Sequence, residues 1–376
     1  MKYRKIRAII SGGGTGGHIF PALSIAGKLK ELNPETEILF VGAEGRMEME
    51  KVPAAGYKIV GLPITGLRRS LSISNLALPF KVIKSVKMAK KLIKEFRPDI
   101  AIGVGGYASA PLLWAAGRMG VPTLIQEQNG FAGLTNKILG KKAGCICVAY
   151  EGMERFFPAE KIVLSGNPIR KEIVPADEKM REEACRFYGL NPDTRHLLIV
   201  GGSLGSGTLN NAMKKWISEG CPGGEGIEVI WQCGKYYKPS VDEFMKDRNL
   251  EAIQYSDFIK RMDLAYAAAD VIISRSGASS ISEMCAAHKA AIFVPSPNVT
   301  EDHQTHNAMA LVRKDAGMIV KDSEADEKLM ATACSLLNDK EKIAQIERNV
   351  AALAKTDAAM TIAEEVYKIV GNEDIQ

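Results

Sequence analysis

The densest chemistry in the chain lies in one glycine loop. Residues 11–22 read SGGGTGGHIFPA, with five glycines in positions 12–17. Glycine lets a backbone turn tightly and approach a ligand closely. A helix starting there offers unpaired N–H groups and a positive dipole end, which suit phosphate or another anion. Gly12, Gly14 and Gly17 satisfy GxGxxG, the dinucleotide pattern. That fingerprint also asks for an acid at the end of the second strand. Here the strand runs into Gly42, with Glu44 beyond, and His18 stands where a phosphate-loop lysine would follow Gly17. His18 falls at the helix start, where a neutral imidazole can accept a proton. It is a candidate general base, with plain turn capping as the alternative.

Five further segments carry polar groups at the ends of apolar runs, and a sixth, NPIR, lies at the domain junction. GGSLGSGTLN (201–210) is a second glycine loop, where Ser203 and nearby N–H groups can hold a phosphate. SRSGASSISEM (274–284) is a small-residue turn. Glu283 follows one helical turn later and can accept from two vicinal ribose hydroxyls. NVTEDHQTHNA (298–308) places His303 and Gln304 among hydrogen-bonding groups suited to sugar hydroxyls. His303 and His306 are spaced i, i+3 without a third metal ligand, so no metal is expected. QEQNGFAGLTNK (126–137) brings Glu127, Asn129 and Asn136, and GGYASAP (105–111) brings Tyr107. Arg170 in NPIR can grip a phosphate bidentately, or tie the chain to a carboxylate.

These segments need a scaffold that gathers strand ends. Short apolar runs at Ile6–Ile10, Glu37–Val41, Ile100–Val104, Pro122–Ile125 and Cys145–Val148 read as buried parallel strands. Helical patterns lie between them, at Pro21–Leu32 and Leu76–Phe96. The pattern restarts with His196–Val200, Glu228–Trp231, Ala252–Tyr255, Val271–Ser274 and Ala291–Pro295. Helices are expected near Asn210–Ser218, Ala278–His288 and His303–Arg313. The fold class is therefore α/β, with two doubly wound, Rossmann-like domains facing a cleft. The division predicted is 1–165 and 166–349, with a proline-bearing linker at 165–179 and a C-terminal helical stretch, 350–376, returning to the first domain.

The chain has 376 residues, 46% hydrophobic and 25% charged, with net charge +5. That composition excludes collagen, disorder and disulfide miniproteins. Seven cysteines without a CxxC pair point to a reducing cytosol. No apolar run approaches the ~20 residues of a membrane span, and the N-terminus lacks a signal-peptide apolar stretch. Residues 68–97 hold nine Lys/Arg and one acid, Glu95. Lys81, Lys84, Lys87, Lys91 and Lys94 form one helical stripe; Val82, Ile83, Val86, Ala89 and Ile93 form another. A loose apolar run from Leu62 to Phe80 precedes them. Leu62–Lys94 thus suits an anionic membrane surface, and a solvated lysine face is the alternative. Nucleic acid is not expected, because the segment lacks a stacking platform.

GGGTGGHIFPALSIA, GVGGYASAP, EQNGFAGLTNK, GNPIR, GGSLGS, SRSGASSISE and DHQTHNA occur in this order across residues 12–308. Together they resemble the MurG family of glycosyltransferases (family 28, GT-B fold). The resemblance implies metal-independent, inverting transfer of GlcNAc from UDP-GlcNAc to lipid I, giving lipid II for peptidoglycan. It implies no cofactor and a peripheral place on the cytoplasmic face of the membrane. On the donor side it implies Ser203 and Arg170 at the diphosphate, Glu283 at the ribose, and Ile259 and the Ala278, Ser279, Ser280 turn around uracil and phosphate. His303 and Gln304 would hold sugar hydroxyls, and Thr15, Gly16, Gly17 and Asn129 would also reach the donor. The acceptor would meet Gly14, Thr15, His18, Tyr107 and Asn136. His18 and Glu127 are the catalytic candidates. This chain departs from some members at Gln126, His303 and Leu204.

The reaction so implied is attack by the acceptor's sugar 4-hydroxyl on the anomeric carbon through an oxocarbenium-like transition state. Charge on departing UDP would be met by helix-start N–H groups, Ser203 and Arg170. A UDP-GlcNAc epimerase on the same fold, a nicotinamide-dependent oxidoreductase and a non-catalytic membrane-surface binding protein are the rival readings.

Overall fold

The computed structural model describes residues 3–66, 78–202, 204–248 and 250–371. They form two compact units, Met1–Ile169 with Thr356–Gln376, and Arg170–Lys355.

The first unit opens with β1 (Arg7–Ser11), α1 (Gly16–Leu32), β2 (Glu37–Ala43), α2 (Glu48–Ala54), β3 (Lys58–Leu62) and α3 (Leu78–Phe96). It continues through β4 (Ile100–Gly103), α4 (Ser109–Arg118), β5 (Thr123–Glu127), α5 (Leu134–Gly140), β6 (Cys145–Val148) and β7 (Ile162–Leu164). The second unit holds α6 (Glu178–Tyr188), β8 (Arg195–Val200), α7 (Gly207–Ser218), β9 (Ile227–Gln232), α8 (Lys238–Met245), β10 (Ile253–Ser256) and α9 (Met262–Ala268). There follow β11 (Val271–Ser274), α10 (Ala278–Ala286), β12 (Ala290–Phe293), α11 (His303–Val312), β13 (Met318–Ile319), α12 (Ala325–Leu337) and α13 (Lys340–Leu353). A last helix, α14 (Ala358–Val370), belongs to the first unit.

Both sheets are parallel and share one plan. The orders are β3-β2-β1-β4-β5-β6-β7 and β10-β9-β8-β11-β12-β13. Strand order reverses between β1 and β4 in one unit and between β8 and β11 in the other, the place where ligands of open α/β sheets bind. Each glycine loop leaves the first strand of its unit at that reversal.

Alternation along β1 shows why its run is wholly apolar. Ile10 packs with Ile25, Leu29, Val366 and Tyr367 on one sheet face, and Ile9 with Leu112, Ile93 and Ile125 on the other. The C-terminal helix therefore completes a core. Arg4 adds hydrogen bonds to the carbonyls of Val370 (2.9 Å) and Gly371 (3.0 Å).

Several elements lie beyond the sequence pattern. α1 starts at Gly16, not Pro21, which sits inside it. Pro21 lacks the N–H that would bond the Gly17 carbonyl, so the glycine-rich first turn is held less tightly. β3, β7 and β13, and the helices α2, α4, α5, α6, α8, α9 and α12, are not among the elements read from the sequence. The strands are short and lie toward sheet edges, and α2 carries Pro53 near its end.

The basic–apolar segment also divides differently. Leu62 and Ile64 are core residues, because Leu62 ends β3. Leu67, Leu71, Ile73 and Leu76 lie outside the described residues. On α3 the buried positions are Ser85, Ala89 and Ile93, whereas Phe80 is 77% exposed, Ile83 55% and Val82 39%. The expected apolar stripe thus splits: its C-terminal half is core and its N-terminal half faces solvent.

Candidate active site

In the first unit, three loops meet at the reversal point. A Cβ added at Gly106 would lie 2.5 Å from the Gly13 carbonyl oxygen, and one at Gly105 would lie 2.8 Å from the His18 ring. Gly105 and Gly106 have φ of +88° and +78°. The loop after β4 therefore needs glycine both for its conformation and for its approach to the first glycine loop. Tyr107 follows and lies beside Gly14 and Gly66.

α1 begins without a side-chain cap and without an acid in its first turn. Thr15, at its N-cap, turns its Oγ1 to His18 Nδ1 (3.1 Å) instead. The first N–H groups of such a helix lack intrahelical partners and favour an anion. The same hydroxyl orients the imidazole that the sequence nominates as base.

Glu127 ends β5 and is buried. Its Oε1 accepts from Asn129 N (3.1 Å) and Asn129 Nδ2 (3.3 Å); its Oε2 accepts from Gly133 N (3.1 Å) and Asn136 Nδ2 (2.8 Å). Burial pushes its pKa above the usual carboxylate value, and the four donors partly offset that rise. Four donors fill the four acceptor positions of a carboxylate. Glu127 thus holds the 129–136 loop, and in this arrangement has no lone pair for a substrate proton. Asn136 keeps its Oδ1 buried and without a hydrogen-bond partner. Gln126 donates to Asn167 Oδ1 (2.9 Å), and Gln128 to the Val104 carbonyl (2.9 Å) and to Gln126 Oε1.

The second unit gathers its own set. Arg170 and Glu283 form a bidentate pair, Nε to Oε1 and Nη2 to Oε2, both at 2.8 Å. Tyr266 donates to Glu283 Oε2 (3.2 Å), and its hydroxyl pKa is pushed far up by burial and the adjacent carboxylate. Of the two uses open to Arg170 in the sequence, the structure displays the carboxylate tie. Arg275 joins the second loop to the third: Nη2 reaches Thr208 Oγ1 (3.1 Å), and Nη1 reaches the Val294 carbonyl (2.9 Å) and Asp322. Asn307 donates to the Ser276 carbonyl (3.3 Å), tying α11 to the same turn. Gln304 accepts from Ser296 N (2.8 Å). Glu301 and Asp302, just before His303, have φ of +55° and +48°, a strained turn of the kind found at binding sites. Ile259 is buried.

The two candidate anion sites of this unit differ. Ser206 caps α7, its Oγ accepting from Leu209 N (3.3 Å). α10 has Gly277 at its N-cap and no side-chain cap, so Ala278, Ser279 and Ser280 open a helix with unspent N–H groups. The Ser276 hydroxyl beside it is buried and unpaired. Ser203 lies outside the described residues. Among the described residues no group of three or more His, Cys, Asp or Glu is placed to hold a metal ion.

Sequence reasoning missed Glu48, Tyr266, Asn167 and Arg275. Glu48 is buried at the start of α2 and accepts from Gly14 N (3.0 Å) and Ala43 N (3.0 Å). The Gly14 amide, assigned to the acceptor, is therefore already engaged.

The glycosyltransferase family 28 N-terminal domain matches residues 8–148, and the C-terminal domain of that family matches 196–362. A protein of Parabacteroides distasonis named UDP-N-acetylglucosamine--N-acetylmuramyl-(pentapeptide) pyrophosphoryl-undecaprenol N-acetylglucosamine transferase is 53% identical over 98% of this chain and 99% of its own. One of the same name from Bacteroides thetaiotaomicron is 53% identical over 99% and 100%. The crystal structure of Acinetobacter baumannii MurG superposes with TM-score 0.78 at 28% identity, covering 96% of this chain and 99% of that one. A putative UDP-N-acetylglucosamine 2-epimerase from Listeria monocytogenes, at 14% identity and TM-score 0.67, shares the fold. With two family domains spanning most of its length, the chain belongs to glycosyltransferase family 28.

Proposed function

We propose that this protein transfers GlcNAc from UDP-GlcNAc to the MurNAc 4-hydroxyl of lipid I, with inversion, giving lipid II. The observation that carries this is the full-length, 53% identity to relatives bearing that transferase name. Both glycine-rich strand ends support it, since each lies at the strand-order reversal of its own sheet.

The second unit binds the donor. The uncapped start of α10 receives the diphosphate, and Glu283, which keeps one acceptor position beside its Arg170 and Tyr266 donors, receives a ribose hydroxyl. Arg170 and Ser203 supply further stabilisation as UDP departs with growing charge. Ile259 lies beside the uracil, and Gln304 and His303 meet sugar hydroxyls. The first unit binds the acceptor. Its diphosphate rests at the Thr15–Gly17 start of α1, and Tyr107, Asn129 and Asn136 line the acceptor side. His18, oriented by Thr15, takes the proton of the attacking hydroxyl. Glu127 positions the 129–136 loop. No metal is required in this scheme.

The first unit also meets the membrane. Phe80, Val82 and Ile83 project beside exposed Lys84, Lys87, Lys91 and Lys94, a combination suited to anionic lipid. Trp114 stands 43% exposed under Lys90 and Arg118. No described helix is long and apolar enough to cross a membrane. The protein would thus be peripheral, on the cytoplasmic face.

Incubation with radiolabelled UDP-GlcNAc and lipid I, with chelator present, tests the scheme. Label should pass into the lipid fraction. Label released as free sugar without lipid I would favour epimerase-like chemistry, and loss of transfer under chelation would overturn metal independence.

A further inference from the structure

Glu48 is the one acidic side chain described here that is fully buried against the first glycine loop, and the scheme above gives it no task. It opens α2, five residues past the end of β2, and turns back under the loop. Its Oε2 accepts the Gly14 N–H and its Oε1 the Ala43 N–H, each at 3.0 Å. The carboxylate occupies the space a side chain at Gly13 would need, and its stem that of one at Gly42. One carboxylate thus joins the glycine loop, the end of β2 and the start of α2.

We propose that Glu48 is a positioning residue for the anion site of the first unit. It pins Gly14 in its positive-φ conformation (+89°) and so fixes the direction in which Thr15–Gly17 present their N–H groups. Each of its two oxygens accepts one backbone N–H, so the carboxylate is held against the backbone of the loop and of β2. In dinucleotide folds an acid at the end of the second strand grips a ribose. Here the acid near that position faces the backbone, which turns the loop from a dinucleotide cradle into a site for a simple pyrophosphate. The proposal rests on the reading of this loop as the acceptor site.

Three variants test it: Glu48→Gln, Glu48→Asp and Glu48→Ala. The readouts are amide hydrogen exchange at Gly14 and Ala43, and separate KM values for donor and acceptor. Glu48→Ala should speed exchange at both amides and raise the acceptor KM about tenfold or more, with donor KM within about twofold. Glu48→Gln should fall between wild type and Ala, since its carbonyl keeps one of the two N–H partners. Glu48→Asp, one methylene short, should do no better than Ala. Unchanged exchange, or donor and acceptor KM rising together, overturns the proposal. Faster exchange with an unaltered acceptor KM also overturns it. Gly16→Pro, which removes one of the Thr15–Gly17 N–H groups at the first helical position, where proline is tolerated, then separates the causes: if it raises the acceptor KM, Glu48 alone was misread, and if it does not, the acceptor does not sit at this loop.

Discussion

Replacing Glu127 by glutamine distinguishes a loop anchor from a catalytic base. The carboxylate takes four donors on two oxygens, and a glutamine has one carbonyl oxygen. Either orientation of the amide leaves two N–H groups without an acceptor in a buried place. Stranded donors cost about 1–3 kcal/mol each. The exchange also removes a group whose ionised form is penalised by burial, which offsets part of that loss. We expect a net cost of about 2–3 kcal/mol, equivalent to a melting shift of about 4–12 °C for a domain of this size. Thermal unfolding measures it. The pH dependence has a definite sign. A carboxyl whose folded pKa is raised stabilises the fold most when protonated, and that contribution fades as pH climbs from the unfolded to the folded pKa. The stability gap between wild type and Glu127→Gln should therefore narrow with rising pH across that window and then level. Turnover should stay within about tenfold once the variant is folded. An unchanged melting temperature together with a turnover loss of about 10²–10⁴-fold would refute the reasoning and make Glu127 the base.

Gly106→Ala should cripple the enzyme and lower its melting temperature, because its φ is +78° and the new Cβ would meet the Gly13 carbonyl oxygen at 2.5 Å; a wild-type melt and rate would show that the loops are not packed as described. Arg170→Ala should raise the donor KM and leave the acceptor KM alone, and should cost about 1–2 kcal/mol of stability, since Arg170 is 47% exposed while Glu283 is 11%; unfolding curves and donor titration check both. The double change Phe80→Ser, Ile83→Ser should keep the melting temperature, as both side chains are mostly exposed, and should weaken binding to anionic vesicles by about tenfold or more. Vesicle co-sedimentation that stays unchanged would count against membrane docking through α3.

The parallel strands were legible because apolar runs such as RAIIS and VIIS are covered on both faces. The glycine loops were legible because few other reasons exist for five glycines in six residues. β7 and β13 escaped because two or three residues of pairing leave no period to read. Long-range pairs escaped altogether. Nothing near Arg170 announces Glu283, 113 positions away. Glu48 sits on a helix beyond the strand end where an acid was sought, and the signal that could have found it was the short GAEGRME turn returning the chain toward β2. Glu127 and its two asparagines were picked out as site residues from their place after a strand; that they bind one another was not readable, since type and spacing do not tell a ligand contact from an internal one.

α14 carries Val366 and Tyr367 into a core that otherwise belongs to residues 3–169. During synthesis the ribosome must deliver the whole second unit before that helix emerges. The nascent first unit therefore waits, with the apolar flank of α1 uncovered, for a piece made nearly two hundred residues later. Chaperone occupancy in that interval should fall on this flank, and proteolytic loss of the last helix should expose the same surface in the mature chain.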